Sequence, residues 1–110
     1  MIQVLDLHDE DVVTAANRVR KAIDSIGQKT LVVIHGYGST TNQYKKLTEI
    51  RNIGKSRKKK GQIAIAISGP DLNDPKVRAM FDPKTLSHLS PYIVNSGVTI
   101  LKKHIYDPLK

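Results

Sequence analysis

The sequence predicts a small α/β sandwich, and three observations carry that reading. A stretch of helical period, Val12 to Ile26, follows an acidic start at Asp9, Glu10 and Asp11. A continuous apolar and β-branched run, Thr30 to Ile34, comes next. The whole alternation of extended and helical patterns fits within 110 residues, the size of a single domain spanning 1–110.

Taken in order, Ile2 to Leu7 alternates apolar and polar residues and reads as a first strand ending at His8. Asp9, Glu10 and Asp11 supply an N-cap and an acidic first turn for a helix that buries Val12, Ala15, Ala16, Val19, Ala22, Ile23 and Ile26 and stops at Gly27. Thr30 to Ile34 reads as a central strand covered on both faces, broken by His35-Gly36-Tyr37-Gly38. Thr40 or Thr41 caps a second helix with Tyr44, Leu47 and Ile50 or Arg51 along its apolar stripe, and Gly54 is its expected stop. Residues 51–61 then read as a basic connector, and Gln62 to Ser68 as a third strand. Residues 69–96, punctuated by Gly69-Pro70, Asn73-Asp74-Pro75 and Asp82-Pro83, read as a long loop with room for a short helix near Lys76 to Phe81; Val98 to Lys102 is the last strand.

Eighteen Lys and Arg against ten Asp and Glu give a formal charge of +8, which favours polyanionic partners. The chain has no Cys, which excludes disulfides, thiolate metal sites and a cysteine nucleophile, and makes a cytoplasmic setting the expectation. No apolar run approaches the roughly 20 residues that span a bilayer, so no membrane partner is expected, and a monomer is. With four Tyr, one Phe and no Trp, stacked aromatic platforms have few candidates, and phosphate contacts are the expected means of recognition.

A strand-helix-strand unit places its two strands parallel, so His8 and His35 are expected on one rim, where open α/β sheets bind ligands. Gly36 and Gly38 leave backbone amides approachable, Lys45 and Lys46 follow in the helix's first turns, and a helix N-terminus favours phosphate. Tyr37 has two readings of equal weight, stacking on a base or covering the loop's apolar underside.

Leu5-Asp6-Leu7-His8 resembles the LDxH motif, and His35-Gly36-Tyr37-Gly38 the HGxG motif, of small MutS-related (Smr) domains. Ser96-Gly97-Val98-Thr99-Ile100-Leu101 resembles that family's closing glycine-containing strand, so the likeness covers nearly the whole chain as a stand-alone Smr domain. The resemblance implies a β-α-β-α-β-β sandwich with a four-stranded mixed sheet, similar to the C-terminal domain of a translation initiation factor. It also implies binding to RNA or DNA, with endonuclease activity, nicking or RNA-cleaving, in some members. Two positions depart from the family: Asp9 stands where Gly usually follows LDxH, and Asn95-Ser96-Gly97-Val98-Thr99 replaces Gly-Gly-x-Gly-Ala-Thr.

Metal-free RNA cleavage needs one group to take the 2′-hydroxyl proton and another to protonate the leaving oxygen, and two histidines can do both. The expected assignment is His35 as base, His8 as acid and Asp6 orienting a histidine. Asp6, His8 and His35 are also admissible metal ligands, but nothing in their spacing fixes a metal geometry, so no metal is assigned and magnesium dependence stays open. Gly36, Tyr37, Gly38, Lys45, Lys46, Arg51, Lys55, Arg57, Lys58, Lys59 and Lys60 are the expected nucleic-acid contacts. The rival readings are a non-catalytic RNA- or DNA-binding module, ribosome- or repair-associated, and a pure protein-interaction domain; Asp9, which repels a phosphate, favours the first of these.

Overall fold

The computed structural model describes residues 1–109. Its elements are β1 (Ile2–Asp6), α1 (Val12–Ser25), β2 (Thr30–Ile34), α2 (Thr41–Lys59), β3 (Ile65–Ser68), α3 (Pro75–Arg78), α4 (Pro83–Leu89) and β4 (Val98–Lys102), with 3-10 turns at Gly69–Asn73 and Ser90–Tyr92. The four strands form one mixed sheet in the order β1-β2-β4-β3. β1 lies parallel to β2, with Asp6 beside Ile34, and β4 runs antiparallel to both β2 and β3. The carboxyl ends of β1, β2 and β3 therefore share one rim with the start of β4.

This is the expected α/β sandwich, and the strand alternation explains its layers. Leu31, Val33 and Leu101 face α1 and α2, where they pack with Leu7, Val19, Ile23 and Ile50. Val32, Val98 and Ile100 face the other way and pack with Ile65, Leu72, Phe81 and Leu89. β2 is covered on both sides, which is why its sequence is a continuous apolar run rather than an alternating one. Each fully buried Leu, Ile or Val contributes roughly 1.5–3 kcal/mol of apolar transfer to the fold.

α1 begins where Asp11 accepts the amide of Thr14 at 2.7 Å, so of the three acidic residues Asp11 is the cap. β3 starts at Ile65, later than the alternation from Gln62 suggests, because the amide of Gln62 is drawn back to the carbonyl of Arg57.

Two expectations are overturned. Residues 51–59 are not a connector; they are the last turns of α2, capped by Lys60. Gly54 is an interior residue there because α2 crosses the sheet at close range: a β-carbon at Gly54 would stand 2.9 Å from Leu101 Cδ2 and 3.2 Å from Ala66 Cβ. The apolar face continues through Ile50 and Ile53, and Arg57, Lys58 and Lys59 complement the negative end of the helix dipole. Residues 69–96 are likewise no open loop: their short helices and turns lay Leu72, Phe81 and Leu89 onto the second face of the sheet. Asp74 and Asp82, each followed by Pro, cap these two helices, so the punctuation marks helix starts.

Candidate nucleic-acid interface

The rim beyond β1 carries a paired carboxylate and imidazole. Asp6, the last residue of β1, accepts both the amide and the Nδ1–H of His8, and its carboxyl is held below its usual range first by that side-chain bond. His8 is half exposed, and its Nε2 lies 3.2 Å from Asp9 Oδ2. The Asp6 hydrogen bond, and then the charges of Asp6 and Asp9, push the His8 pKa up. The shift favours the cationic imidazole, the form that donates a proton or meets an anion.

His35 is brought to the same rim by the β1–β2 pairing, but its ring turns inward. It is 0% exposed, its Nδ1 lies 2.9 Å from the carbonyl of Gly36, and its Nε2 lies 2.8 Å from Thr99 Oγ1 on β4. A carbonyl can only accept, so Nδ1 carries the proton and Nε2 accepts from the Thr99 hydroxyl. Burial lowers its pKa to about 4. This corrects its assignment as catalytic base: both nitrogens are engaged, and no substrate can reach them.

The glycine loop is held against β4. The amides of His35 and Gly36 both donate to the carbonyl of Gly97, at 3.0 and 3.1 Å. Gly97 must lack a side chain, since a β-carbon there would come within 2.8 Å of the Gly36 carbonyl carbon. Gly36 therefore offers no free amide to a phosphate, which corrects that expectation. Gly36 and Gly38 adopt φ of 93° and 79°, and their turn lifts Tyr37 into solvent at 65% exposure. Tyr37 does not cover the loop's underside.

Of the two lysines at the start of α2, only Lys45 is exposed. Lys46 is buried, and its ammonium donates to three backbone carbonyls, those of Leu7, His8 and Glu10, at 2.8, 2.7 and 2.8 Å. All three protons are used, so Lys46 is a brace for the β1–α1 loop and not a phosphate ligand. Its place was legible: positions 46, 50, 53 and 54 share one helix face. Tyr44, expected on that apolar face, is instead 62% exposed, packed beside Gly38 at the corner where the loop meets α2.

Along the rest of α2, Lys55, Lys58, Lys59 and Lys60 are exposed, and none is ion-paired among the described residues. Arg57 is paired with Asp24 at 2.6 Å, and Arg51 donates to the carbonyl of Ser96 at 3.0 Å beside a cleft that it lines with Lys55, Ser68 and Thr99. The β1–α1 corner has the opposite sign, with Asp6, Asp9, Glu10 and Asp11 within six consecutive positions. No cluster of three or more metal-binding side chains occurs among the described residues, and no described helix is long and apolar enough to cross a membrane.

Comparison with known proteins finds no matching family model, no matching curated protein and no matching solved structure.

Proposed function

We propose that this domain binds RNA or DNA as a module of the Smr type, holding the phosphate backbone along α2 and binding without hydrolysis. The observation that carries the reading is the outward side of α2, where Lys45, Lys55, Lys58, Lys59 and the capping Lys60 stand exposed with no carboxylate partner among the described residues, in a chain of net charge +8. The acidic β1–α1 corner borders only the start of this side, where Asn42, Gln43 and Lys46 line a pocket with His8, Asp9, Glu10 and Asp11, while Lys55, Lys58 and Lys59 lie toward the far end of the helix. The LDxH-like and HGxG-like motifs add support from resemblance. A cytoplasmic setting, with structured RNA such as ribosomal RNA or DNA under repair as partner, belongs to the same proposal.

A second reading, phosphodiester cleavage, is favoured by one observation: the exposed Asp6–His8 pair is built to supply a general acid. Against it, the second histidine of the two-histidine scheme is sealed in the core, and Asp9 puts a negative charge on the one His8 nitrogen a substrate could meet.

The test is binding to labelled structured RNA and supercoiled DNA across a salt series, with and without magnesium, beside a His8→Ala variant. With about five phosphate contacts, the slope of log K against log salt is expected at roughly −3 to −5. Wild type should bind without cutting. Cleavage that disappears in His8→Ala would establish the second reading, and weak, salt-insensitive binding would point instead to a protein-interaction domain.

A further inference from the structure

We propose that Tyr37 and Tyr44 form a stacking platform for unpaired bases, so that the polymer this domain takes is single-stranded where it meets the rim. The inference rests on the nucleic-acid reading above and names its substrate class.

The chain has only five aromatic residues. Phe81 is buried, Tyr92 packs against the second core, and Tyr106, 37% exposed, lies beside Asp82 and Lys102 at the opposite end of the sheet. Tyr37 and Tyr44 are 65% and 62% exposed and flank one loop–helix junction: a β-carbon at Gly38, the residue after Tyr37, would lie 3.5 Å from Tyr44 Cα and 3.8 Å from its ring. The loop thus rests on the first turns of α2, with Tyr37 one residue before the point of contact and Tyr44 at it. A single exposed tyrosine is ordinary; two at one loop–helix junction, in a chain with so few aromatics, leave apolar ring faces in water at the end of α2 where its exposed lysines begin.

Helical geometry ties this corner to those ligands. At 100° per residue, Tyr44, Arg51, Lys55 and Lys58 fall on one flank of α2, a path about 21 Å long, the span of about six stacked nucleotides. Arg51 is steadied by the Ser96 carbonyl, and it borders the cleft with Lys55. Duplex bases hide their faces in the stack, so exposed rings gain nothing from a duplex, whereas unpaired bases of any sequence offer a face to a ring. Rings at one end and cations along the flank suit a strand whose first bases stack while its backbone runs down the helix.

The experiment uses the full chain with labelled single-stranded RNA and DNA oligonucleotides and the duplexes made from them, with 2-aminopurine placed within the strand as a stacking reporter. Wild type should prefer the single strand and quench the reporter. Tyr37→Ala/Tyr44→Ala should lose roughly 5- to 100-fold in single-strand affinity and lose the quench, with duplex affinity and salt slope unchanged. Tyr37→Phe/Tyr44→Phe, which keeps the rings, should behave as wild type. Single-strand affinity unchanged in the alanine variant, or a wild-type preference for duplex, overturns the platform while leaving phosphate binding in place. Failure of wild type to bind any of the four polymers overturns the nucleic-acid reading itself. The RNA and DNA arms identify the sugar preferred.

Discussion

The ammonium of Lys46 sits 2.7 Å from the carbonyl oxygen of His8, so the helix that bears the basic side also holds the backbone of the rim imidazole in place. With the bonds to Leu7 and Glu10, this one side chain closes the turn between β1 and α1.

Lys46→Met keeps the aliphatic stem and removes the three donors. Three carbonyls lose a charged partner in a buried setting, so a loss of about 3–5 kcal/mol is expected in urea unfolding. Lys45→Met, one residue away on the exposed side, should leave stability unchanged and weaken nucleic-acid binding instead. A Lys46→Met protein of wild-type stability with weakened binding would return Lys46 to the phosphate.

The two rim histidines should titrate in opposite directions. His35, neutral in the fold down to about pH 4, takes a proton near pH 6.5 once unfolded, so the unfolded chain binds more protons between those values. Its contribution, about 3 kcal/mol, is present above pH 6.5 and is lost as pH falls toward 4. His8, whose pKa is raised in the fold, acts with the other sign: its contribution is present below its unfolded pKa and fades as pH rises through the folded value. Imidazole resonances followed by NMR should place the His8 midpoint above 6.5 and show no His35 titration until the protein begins to acid-unfold. A His35 midpoint near 6.5 would restore it as an acid–base candidate.

Much of this was readable in advance, and the misses share causes. β1, α1, β2 and β4 each follow one rule of pattern, and the sheet order brought His8 and His35 to one rim as parallel pairing requires. The direction of the His35 ring was not readable, because it depends on Thr99, 64 positions away, reaching across from β4. Gly54 misled because helix propensity disfavours glycine, while the packing of α2 on Leu101 and Ala66 demands it. Lys46 and Tyr44 exchanged roles for a related reason: residue type suggested the lysine outside and the tyrosine inside, but helical phase set at Ile50 and Ile53 decides which side each faces.

Asp9 sets how welcoming the rim is to phosphate. Asp9→Asn removes one of the two carboxylates that raise His8, so the His8 midpoint should fall while staying above its ordinary value, since the larger Asp6 contribution remains. An exposed charge a few ångströms from a phosphate is worth about 1 kcal/mol or less, so affinity should rise roughly 2- to 5-fold at low salt and the gain should vanish at high salt. An unchanged His8 midpoint together with unchanged affinity would make Asp9 a solvated bystander.

Gly54→Ala tests the fit of helix to sheet on which the basic side depends. In an exposed helix interior the change would stabilise by roughly 1 kcal/mol. Here the new methyl meets Leu101 Cδ2 at 2.9 Å and Ala66 Cβ at 3.2 Å, and Leu101, only 1% exposed, must shift within a packed core to relieve the contact. Overpacking of that kind costs about 1–3 kcal/mol, so the steric effect outweighs the helical gain, and a net loss near 1 kcal/mol is expected. Leu101→Val in the same protein should recover part of it, giving a favourable coupling between the two positions in a double-mutant cycle. Net stabilisation by Gly54→Ala alone would mean that α2 rides higher on the sheet than 2.9 Å allows, and that the glycine is not what lets the helix run on to Lys59.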